Sequence, residues 1–218
     1  MIDRLSLWMD NEARDGPSNM AIDEWLLKAA EQPVLRVYRW QPDWGSYGYF
    51  VPDAEAAQSL AGMKRVRRWT GGGIVDHRND WTYTLVLPSG EPLAKAKGAA
   101  SYRVIHEALA EALRTGGREC GCALDRSVSA GGECFKKAVE YDIVDGTGRK
   151  IAGAGQRRSL RGLLHQGSVS TEGNEILARD FGARLADHLQ DFEIPLEKGL
   201  IKEIALDRYA SHAWRVRR

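Results

Sequence analysis

Apolar and polar positions recur with two different periods along this chain, and each period predicts a type of element. Residues 34–40, which read VLRVYRW, and residues 81–87, which read WTYTLVL, carry the β-branched and aromatic side chains typical of strands. In residues 99–114, apolar side chains recur every three or four positions, as in a helix that packs one face on a core. The same reasoning predicts helices at 18–31, 53–60 and 175–190, and strands at 66–69, 139–144, 150–152 and 163–170.

Hairpins and isolated helices follow one another in this order, without regular repeats of strand, helix and strand. The turn sequence DGTG at 145–148 joins two predicted strands directly. Such an order predicts an α+β fold in which a mixed, largely antiparallel central sheet is flanked by helices. For 218 residues we expect a single domain over 1–218, with its core at 18–190 and a short C-terminal extension at 191–218.

The charge balance argues against partners recognised by bulk electrostatics. The formal net charge is +1 at pH 7, so neither nucleic acid nor a membrane surface is an expected partner. No apolar run approaches the roughly 18 residues that cross a bilayer, and the N-terminal residues lack the apolar core of a signal peptide. The cytoplasm is the expected location.

The cysteines are three in number, Cys120, Cys122 and Cys134. An odd number without a secretion signal argues against a disulfide framework. No second pair of Cys or His stands at zinc-finger spacing from the first two cysteines, so no metal site is expected. Cys134 lies beside Lys136 and Lys137, and neighbouring ammonium groups favour the thiolate form of a nucleophilic cysteine. A small buried apolar side chain is the alternative interpretation of Cys134.

Three glycine-bearing segments carry the strongest functional signal. Residues 67–77 read RRWTGGGIVDH, residues 148–158 read GRKIAGAGQRR, and residues 163–168 read LLHQGS. Consecutive glycines let the backbone lie close to a ligand, and the absence of a following Gly-Lys-Ser/Thr excludes a P-loop. An ammonium group such as that of Lys150 stabilises negative charge that develops on a carbonyl or phosphate group. Together the segments predict a groove for a long, slim, partly apolar ligand with a cation near its reactive end.

These segments, in this order and at these separations, resemble the lipoate-protein ligase and octanoyltransferase family, whose fold is shared with biotin protein ligases. The resemblance covers residues 18–190. It implies the fold of biotin/lipoate protein ligase catalytic domains, with an acyl chain held in a tunnel against the glycine loop. Residues 80–83, which read DWTY, and the place of Cys134 before the lysine motif are similar to cysteine-dependent octanoyltransferases.

The resemblance also implies roles for individual residues. Cys134 would attack a thioester and carry the acyl group, while Lys150 would polarise the carbonyl group. Taken alone, His77 and His165 are better explained as core or turn histidines. The residues that would line the acyl site are Arg68, Thr70, Gly71, Gly72, Gly73, His77, Tyr83, Gly153, Ala154, His165 and Gly167.

The activity implied by the resemblance is transfer of an octanoyl or lipoyl group from a thioester, through a cysteine acyl-enzyme, to the lysine of a lipoyl domain. The donor would be acyl carrier protein or an octanoylated or lipoylated protein. The acceptor would be a lipoyl domain or a glycine-cleavage H-type protein, and no cofactor would be needed. Two alternatives stay open: an ATP-dependent lipoate-protein ligase that forms lipoyl-AMP with ATP and Mg²⁺, and a non-catalytic module that binds acyl groups or lipoyl domains.

Basic residues near two of the motifs predict a docking surface, because the partner proteins implied by the resemblance are typically acidic. Solvated surface charge is the alternative interpretation. The basic residues are Lys64, Arg65, Arg67, Arg157, Arg158 and Arg161.

Overall fold

The computed structural model describes residues 2–123, 139–193 and 195–217. Within these residues the helices are α1 (Gly16–Ala29), α2 (Asp53–Ser59), α3 (Pro92–Lys95), α4 (Gly98–Thr115), α5 (Glu175–Leu185), α6 (Lys198–Ile204), which continues as a π-helical turn over Ala205–Tyr209, and α7 (His212–Arg215). The strands are β1 (Ile2–Arg14), β2 (Val34–Trp40), β3 (Trp44–Tyr47), β4 (Lys64–Arg67), β5 (Ile74–Asp76), β6 (Trp81–Pro88), β7 (Cys120–Cys122), β8 (Ile143–Asp145), β9 (Lys150–Ser159), β10 (Gly162–Val169) and β11 (Ala186–Asp191).

The main sheet has eight strands in the order β11-β1-β2-β6-β10-β9-β8-β7. In the part of the chain that the structure describes, β1 pairs in parallel with β11 and β2, and the five other pairings of this sheet are antiparallel. Residue Gln166 of β10 stands opposite Thr84 of β6 on one side and Gly155 of β9 on the other. The predicted α+β fold, with a mixed, largely antiparallel sheet flanked by helices, is confirmed.

Each face of the main sheet carries its own apolar core, because successive residues of a strand point to opposite faces. Leu163 joins the core beneath α4 and α5, whereas its neighbour Leu164 joins the core beneath α1 and α6. Full burial of one large apolar side chain stabilises a fold by about 1.5–3 kcal/mol. The two cores therefore fix β10 from both sides, and with it the segment LLHQGS that this strand carries.

A smaller sheet, in the order β4-β3-β5, packs with α2 around Tyr47, Ala56, Leu60 and Ile74. The triple glycine lies in the loop between β4 and β5. The N–H of Tyr49 donates to the Thr70 carbonyl at 2.8 Å, and the N–H of Gly48 donates to the Gly73 carbonyl at 3.0 Å. This glycine loop, residues 68–73, is therefore anchored to the segment that follows β3.

The structure differs from the element predictions at several points. The helix predicted over 175–190 ends at Leu185, and the following residues form β11 because they find a parallel partner in β1. No element was expected over 2–14, yet these residues form β1, whose pairing on both edges overrides its mixed polar sequence. Helix α1 begins at Gly16 and not at residue 18, because the Asp15 carboxylate accepts the Ser18 N–H at 2.8 Å.

Candidate active site

A cavity of about 250 Å³ lies where the main sheet meets the smaller sheet. Strands β9 and β10 supply part of its lining, and the glycine loop and the ends of β3 and β5 supply another part. The residues predicted from the sequence that lie in this lining are Arg68, Gly72, Gly73, His77, Lys150, Gly153, Ala154 and Gly167. The three glycine-bearing segments are thus brought together around one cavity.

Side chains hold the glycine loop from within and from β10. Gly72 has a φ of +91°, in the left-handed region that favours glycine, so a side chain here would strain the loop. The Thr70 hydroxyl lies outside the cavity lining and donates to Gln166 Oε1 at 2.7 Å. Arg68 Nη2 donates to the carbonyl groups of Gly71 and Gly73 at 3.2 and 2.9 Å. These bonds fix the loop at its start and at its end.

The Arg68 guanidinium is buried, with 6% of the residue exposed. Its Nη1 donates to Ser46 Oγ at 2.7 Å. Burial lowers the pKa of Arg68 to about 10, so the side chain stays cationic at neutral pH. The cavity therefore has a fixed positive charge in its lining.

His77 lies between a hydroxyl and a carboxylate. Its Nε2 is 2.6 Å from Ser46 Oγ, and its Nδ1 is 2.7 Å from Asp80 Oδ2. The Trp40 ring stacks on the imidazole with 3.9 Å between ring centroids and 9° between planes. These contacts hold the imidazole in one orientation at the wall of the cavity.

Lys150 is paired with a carboxylate that is itself held in place. Its Nζ is 2.7 Å from Asp142 Oδ2, and Asp142 is fully buried. Tyr102 Oη donates to Asp142 Oδ1 at 2.6 Å and accepts the Ala154 N–H at 2.9 Å. A Cβ at Gly153 would lie 2.6 Å from Lys150 Nζ, so glycine leaves the space that the lysine occupies. The arrangement presents an ammonium group to the cavity.

The sequence matches the lipoyl protein ligase A/B catalytic domain over residues 15–194. The chain belongs to this family. The predicted family is therefore confirmed. Similar members include the octanoyltransferase LipM of Exiguobacterium sp., 34% identical over 180 residues that cover 72% of this chain and 63% of that protein. The octanoyltransferase LipM of Moorella thermoacetica is 34% identical over 188 residues, covering 78% of this chain and 67% of that protein. The chain spans less than two thirds of the first of these relatives.

Solved structures of the lipoyl protein ligase A/B family share the fold. A crystal structure of lipoate-protein ligase A bound with ATP has a TM-score of 0.77 at 21% identity, and the match covers 99% of each chain. A bipartite lipoate protein ligase from Thermoplasma acidophilum has a TM-score of 0.73 at 19% identity, covering 98% of this chain and 96% of that one. At these identities the likeness establishes the architecture alone.

Two residues predicted for the acyl site, Tyr83 and His165, lie on the other face of the sheet. Both are fully buried, Tyr83 Oη is 3.1 Å from His165 Nε2, and Gln156 Nε2 donates to His165 Nδ1 at 3.0 Å. Neither residue belongs to the cavity lining, whereas Gln166 and Ser168 do. The correction follows from the alternation of side chains along β10: within LLHQGS, the side chains of Gln166 after the histidine and of Ser168 after the glycine face the cavity.

Sequence reasoning missed four further polar residues around the cavity. Asp142 had a usable signal, because it faces Lys150 across the predicted hairpin turn at 145–148. Asp80 stands in the segment DWTY, which indicates the family but not the contact of this carboxylate with His77. Ser46 and Tyr102 come from β3 and α4, far from the motifs in sequence, and no local pattern identifies them.

The proposed nucleophile Cys134 lies outside the described residues. The cysteines that are described, Cys120 and Cys122, lie in β7. Burial raises the pKa of both thiols, that of Cys122 to about 11, so both are protonated at neutral pH. Over the described ranges, no group of three or more His, Cys, Asp or Glu side chains is arranged to hold a metal ion. The helices in those same ranges include none with the length and apolar character that a membrane crossing needs.

The predicted basic docking surface is wrong for three of its six members. Arg67 is 2% exposed and donates to backbone carbonyl groups. Arg65 makes two bonds of 3.0 Å to Asp53, and Arg158 donates to Ser101 Oγ at 2.6 Å. These guanidinium groups hold segments of the fold together and do not form a free cationic surface.

Proposed function

We propose that this protein transfers an octanoyl or lipoyl group from a thioester donor, through an acyl-enzyme on Cys134, to the lysine of a lipoyl domain. The donor is acyl carrier protein or an octanoylated or lipoylated protein, and the acceptor is a lipoyl domain or a glycine-cleavage H-type protein. The reaction requires neither a nucleotide nor a metal ion and takes place in the cytoplasm. The names of the similar family members support octanoyl transfer.

The observation that carries this proposal is the Lys150–Asp142 pair at the cavity. The ammonium lies 2.7 Å from the buried carboxylate, and this contact limits its movement. A fixed cation of this kind stabilises the oxyanion that forms when a nucleophile adds to a thioester carbonyl. Because the same cavity is bounded by the glycine loop, an acyl chain seated against the loop would present its carbonyl group to Lys150.

Two displacements complete the reaction. The Cys134 thiolate adds to the thioester carbon, the oxyanion collapses, and the carrier thiolate leaves. The amine of the acceptor lysine then adds to the acyl-enzyme, loses a proton to solvent, and expels the Cys134 thiolate as the amide forms. Lys150 donates a hydrogen bond to the oxyanion in both steps. A covalent intermediate lets the donor protein leave before the acceptor binds.

Sequence position and thiol chemistry support Cys134 over the other cysteines. Cys134 stands five residues before Val139, which lines the cavity. Cys120 and Cys122 have pKa values raised by burial, which disfavours the thiolate that attacks a thioester. These observations support the proposal of Cys134 as the nucleophile.

The experiment compares donors on one acceptor. The purified protein is incubated with an apo lipoyl domain and either octanoyl carrier protein or octanoate with ATP and Mg²⁺, and the mass of the lipoyl domain is measured. We expect octanoylation from the carrier protein, together with one hydroxylamine-labile octanoyl group on the enzyme. Octanoylation only with ATP and Mg²⁺ would identify a ligase, and no octanoylation under either condition would favour a binding module.

Variants then test the individual residues. Cys134→Ala should abolish both the enzyme adduct and the transfer, whereas the Cys120→Ala, Cys122→Ala double variant is the matched control and should keep both. Lys150→Ala should lower the rate of adduct formation by about 10²-fold or more, since it removes one oxyanion donor. Full-rate acylation by Cys134→Ser from lipoate and ATP would contradict the cysteine mechanism.

A further inference from the structure

The charge of Arg68 is balanced by a carboxylate that it does not contact directly. Among the described residues, its hydrogen-bond acceptors are a serine hydroxyl and two backbone carbonyl groups, and none is a carboxylate. A buried cation without a nearby counter-charge is costly, so it requires a polar environment that is well ordered. The nearest carboxylate along the hydrogen-bond chain is Asp80, reached through Ser46 and His77.

The donor and acceptor groups of this chain limit where its protons lie. The Ser46 hydroxyl accepts from Arg68 and carries one proton of its own, and we infer that this proton points to His77 Nε2 over 2.6 Å. A carboxylate only accepts, so His77 Nδ1 must carry the proton that points to Asp80 Oδ2 over 2.7 Å. In this arrangement His77 Nδ1 carries the ring proton, and both ring nitrogens are engaged within the protein.

Neighbouring contacts fix the two ends of the chain. Asp80 Oδ2 also accepts the hydroxyl groups of Ser168 at 2.6 Å and Thr82 at 3.1 Å. Thr82 in turn accepts Trp40 Nε1 at 3.0 Å, and the Trp40 ring stacks on His77. At the other end, Arg68 Nη2 binds the carbonyl groups of the glycine loop. A displacement of Asp80 or Ser46 would therefore be transmitted to the loop.

A serine, a histidine and an aspartate in hydrogen-bond series also occur in serine hydrolases, but this serine is in a different situation. Ser46 is fully buried, and its oxygen is already occupied by the Arg68 guanidinium at 2.7 Å. A nucleophile must reach its substrate with a free lone pair. The cationic guanidinium bound to the Ser46 oxygen reduces its nucleophilicity, which favours a supporting role.

We propose that Ser46 and Asp80 are positioning residues that hold the Arg68 guanidinium against the Gly71 and Gly73 carbonyl groups, and so set the shape of the acyl-binding side of the glycine loop. Ser46 acts by direct contact with Arg68, and Asp80 acts through His77 and Ser46. That an acyl chain binds there rests on the proposed function. The positioning itself follows from the hydrogen bonds alone. His77 then supports the wall of the cavity and exchanges no proton with the substrate.

The first test measures acyl binding and turnover separately. Ser46→Ala leaves a guanidinium donor and His77 Nε2 without partners, so we expect the KM for the octanoyl donor and the Kd for octanoate to rise roughly tenfold, with kcat changed less than about twofold. Ser101→Ala is the matched control, because Ser101 is also fully buried and accepts from an arginine, Arg158, on the opposite face of the sheet. Equal effects of the two variants, or a fall in kcat with an unchanged KM, would overturn the proposal.

The second test does not depend on catalysis. Nitrogen-15 NMR of the wild-type protein should show His77 as the neutral Nδ1–H tautomer at pH 7, and Asp80→Asn should weaken octanoate binding in the same direction as Ser46→Ala. A His77 that is cationic, or protonated on Nε2, would overturn the proposal even if Ser46→Ala did not fold. Absence of acyl transfer in the wild-type protein would refute the proposed function while leaving this measurement of the tautomer intact.

Discussion

The two faces of strands β9 and β10 use polar residues in opposite ways. On the face that carries α1 and the cavity, buried guanidinium groups stay cationic, as at Arg68 and Arg36. On the face beneath α4, the buried polar groups are kept neutral: burial lowers the pKa of His106 to about 4 and that of His165 well below its usual value. One pair of strands thus separates a charged functional region from a neutral structural one.

Arg36 stays cationic because carboxylates are close to it. Burial alone lowers the pKa of Arg36, but Asp23 and Asp10 outweigh it and the net shift is upward. Arg36 Nη1 lies 2.6 Å from Asp23 Oδ1, and Nη2 lies 2.7 Å from Asp10 Oδ2. Asp23 also accepts Gln166 Nε2 at 2.7 Å, so this ion-pair group contacts the residue that binds the glycine loop.

Neutrality on the α4 face is retained because hydrogen bonds suit neutral rings. His106 Nδ1 is 2.7 Å from the Tyr141 carbonyl oxygen, which can only accept, so the proton lies on Nδ1. His165 Nδ1 accepts from Gln156, and its Nε2 carries the proton towards Tyr83. A second proton on either ring would have to be buried in an apolar core. This face therefore supports the strands without offering groups for chemistry.

Arg36→Ala should give the largest effect, because it leaves Asp23 buried without a cation and leaves Asp10 with Arg14 alone. We expect the free energy of unfolding to fall by about 3–5 kcal/mol, measured by urea denaturation at pH 7. Arg4→Ala, at a side chain that is 70% exposed, is the control and should stay within about 0.5 kcal/mol of wild type. A loss below about 1 kcal/mol for Arg36→Ala would show that charge on this face contributes little to stability.

Predictability from the sequence follows the same division. Periodicity and turn residues identify α4, β6 and the hairpin of β8 and β9, because local patterns specify them. Strand β11 was mistaken for helix since only its partner β1 distinguishes the two. The glycine-bearing segments identify the cavity. A shift of one residue along a strand decides which face of the sheet a side chain points to, and the family motifs do not determine that shift. That is why His165 was expected in the cavity where Gln166 lies.

The neutral histidine side chains beneath α4 should make the free energy of unfolding depend on pH. The pKa of His106 is lowered from 6.5 to about 4, so the unfolded chain binds the proton first as the pH falls. The contribution of neutral His106 to the free energy of unfolding is full above pH 6.5. It is lost as the pH falls to about 4, by about 3 kcal/mol in total. Between pH 7 and pH 4, urea denaturation should show that His106→Asn loses less free energy of unfolding than the wild-type protein. The asparagine keeps a donor for the Tyr141 carbonyl. Equal losses in both proteins would mean that His106 is not held neutral.

The smallest predicted effect lies where the charged face meets the glycine loop. Gln166 donates to Asp23 and accepts from Thr70, both at 2.7 Å, so its amide has a defined direction. Gln166→Glu keeps the shape but sets two carboxylates against each other, and we expect a loss of about 1–3 kcal/mol. Asp23→Asn restores a donor opposite the new carboxylate. In a double-mutant cycle, the double variant should therefore lose about 1 kcal/mol less free energy of unfolding than the sum of the two single losses. Strict additivity of the two losses would show that Gln166 does not link the loop to the ion-pair group.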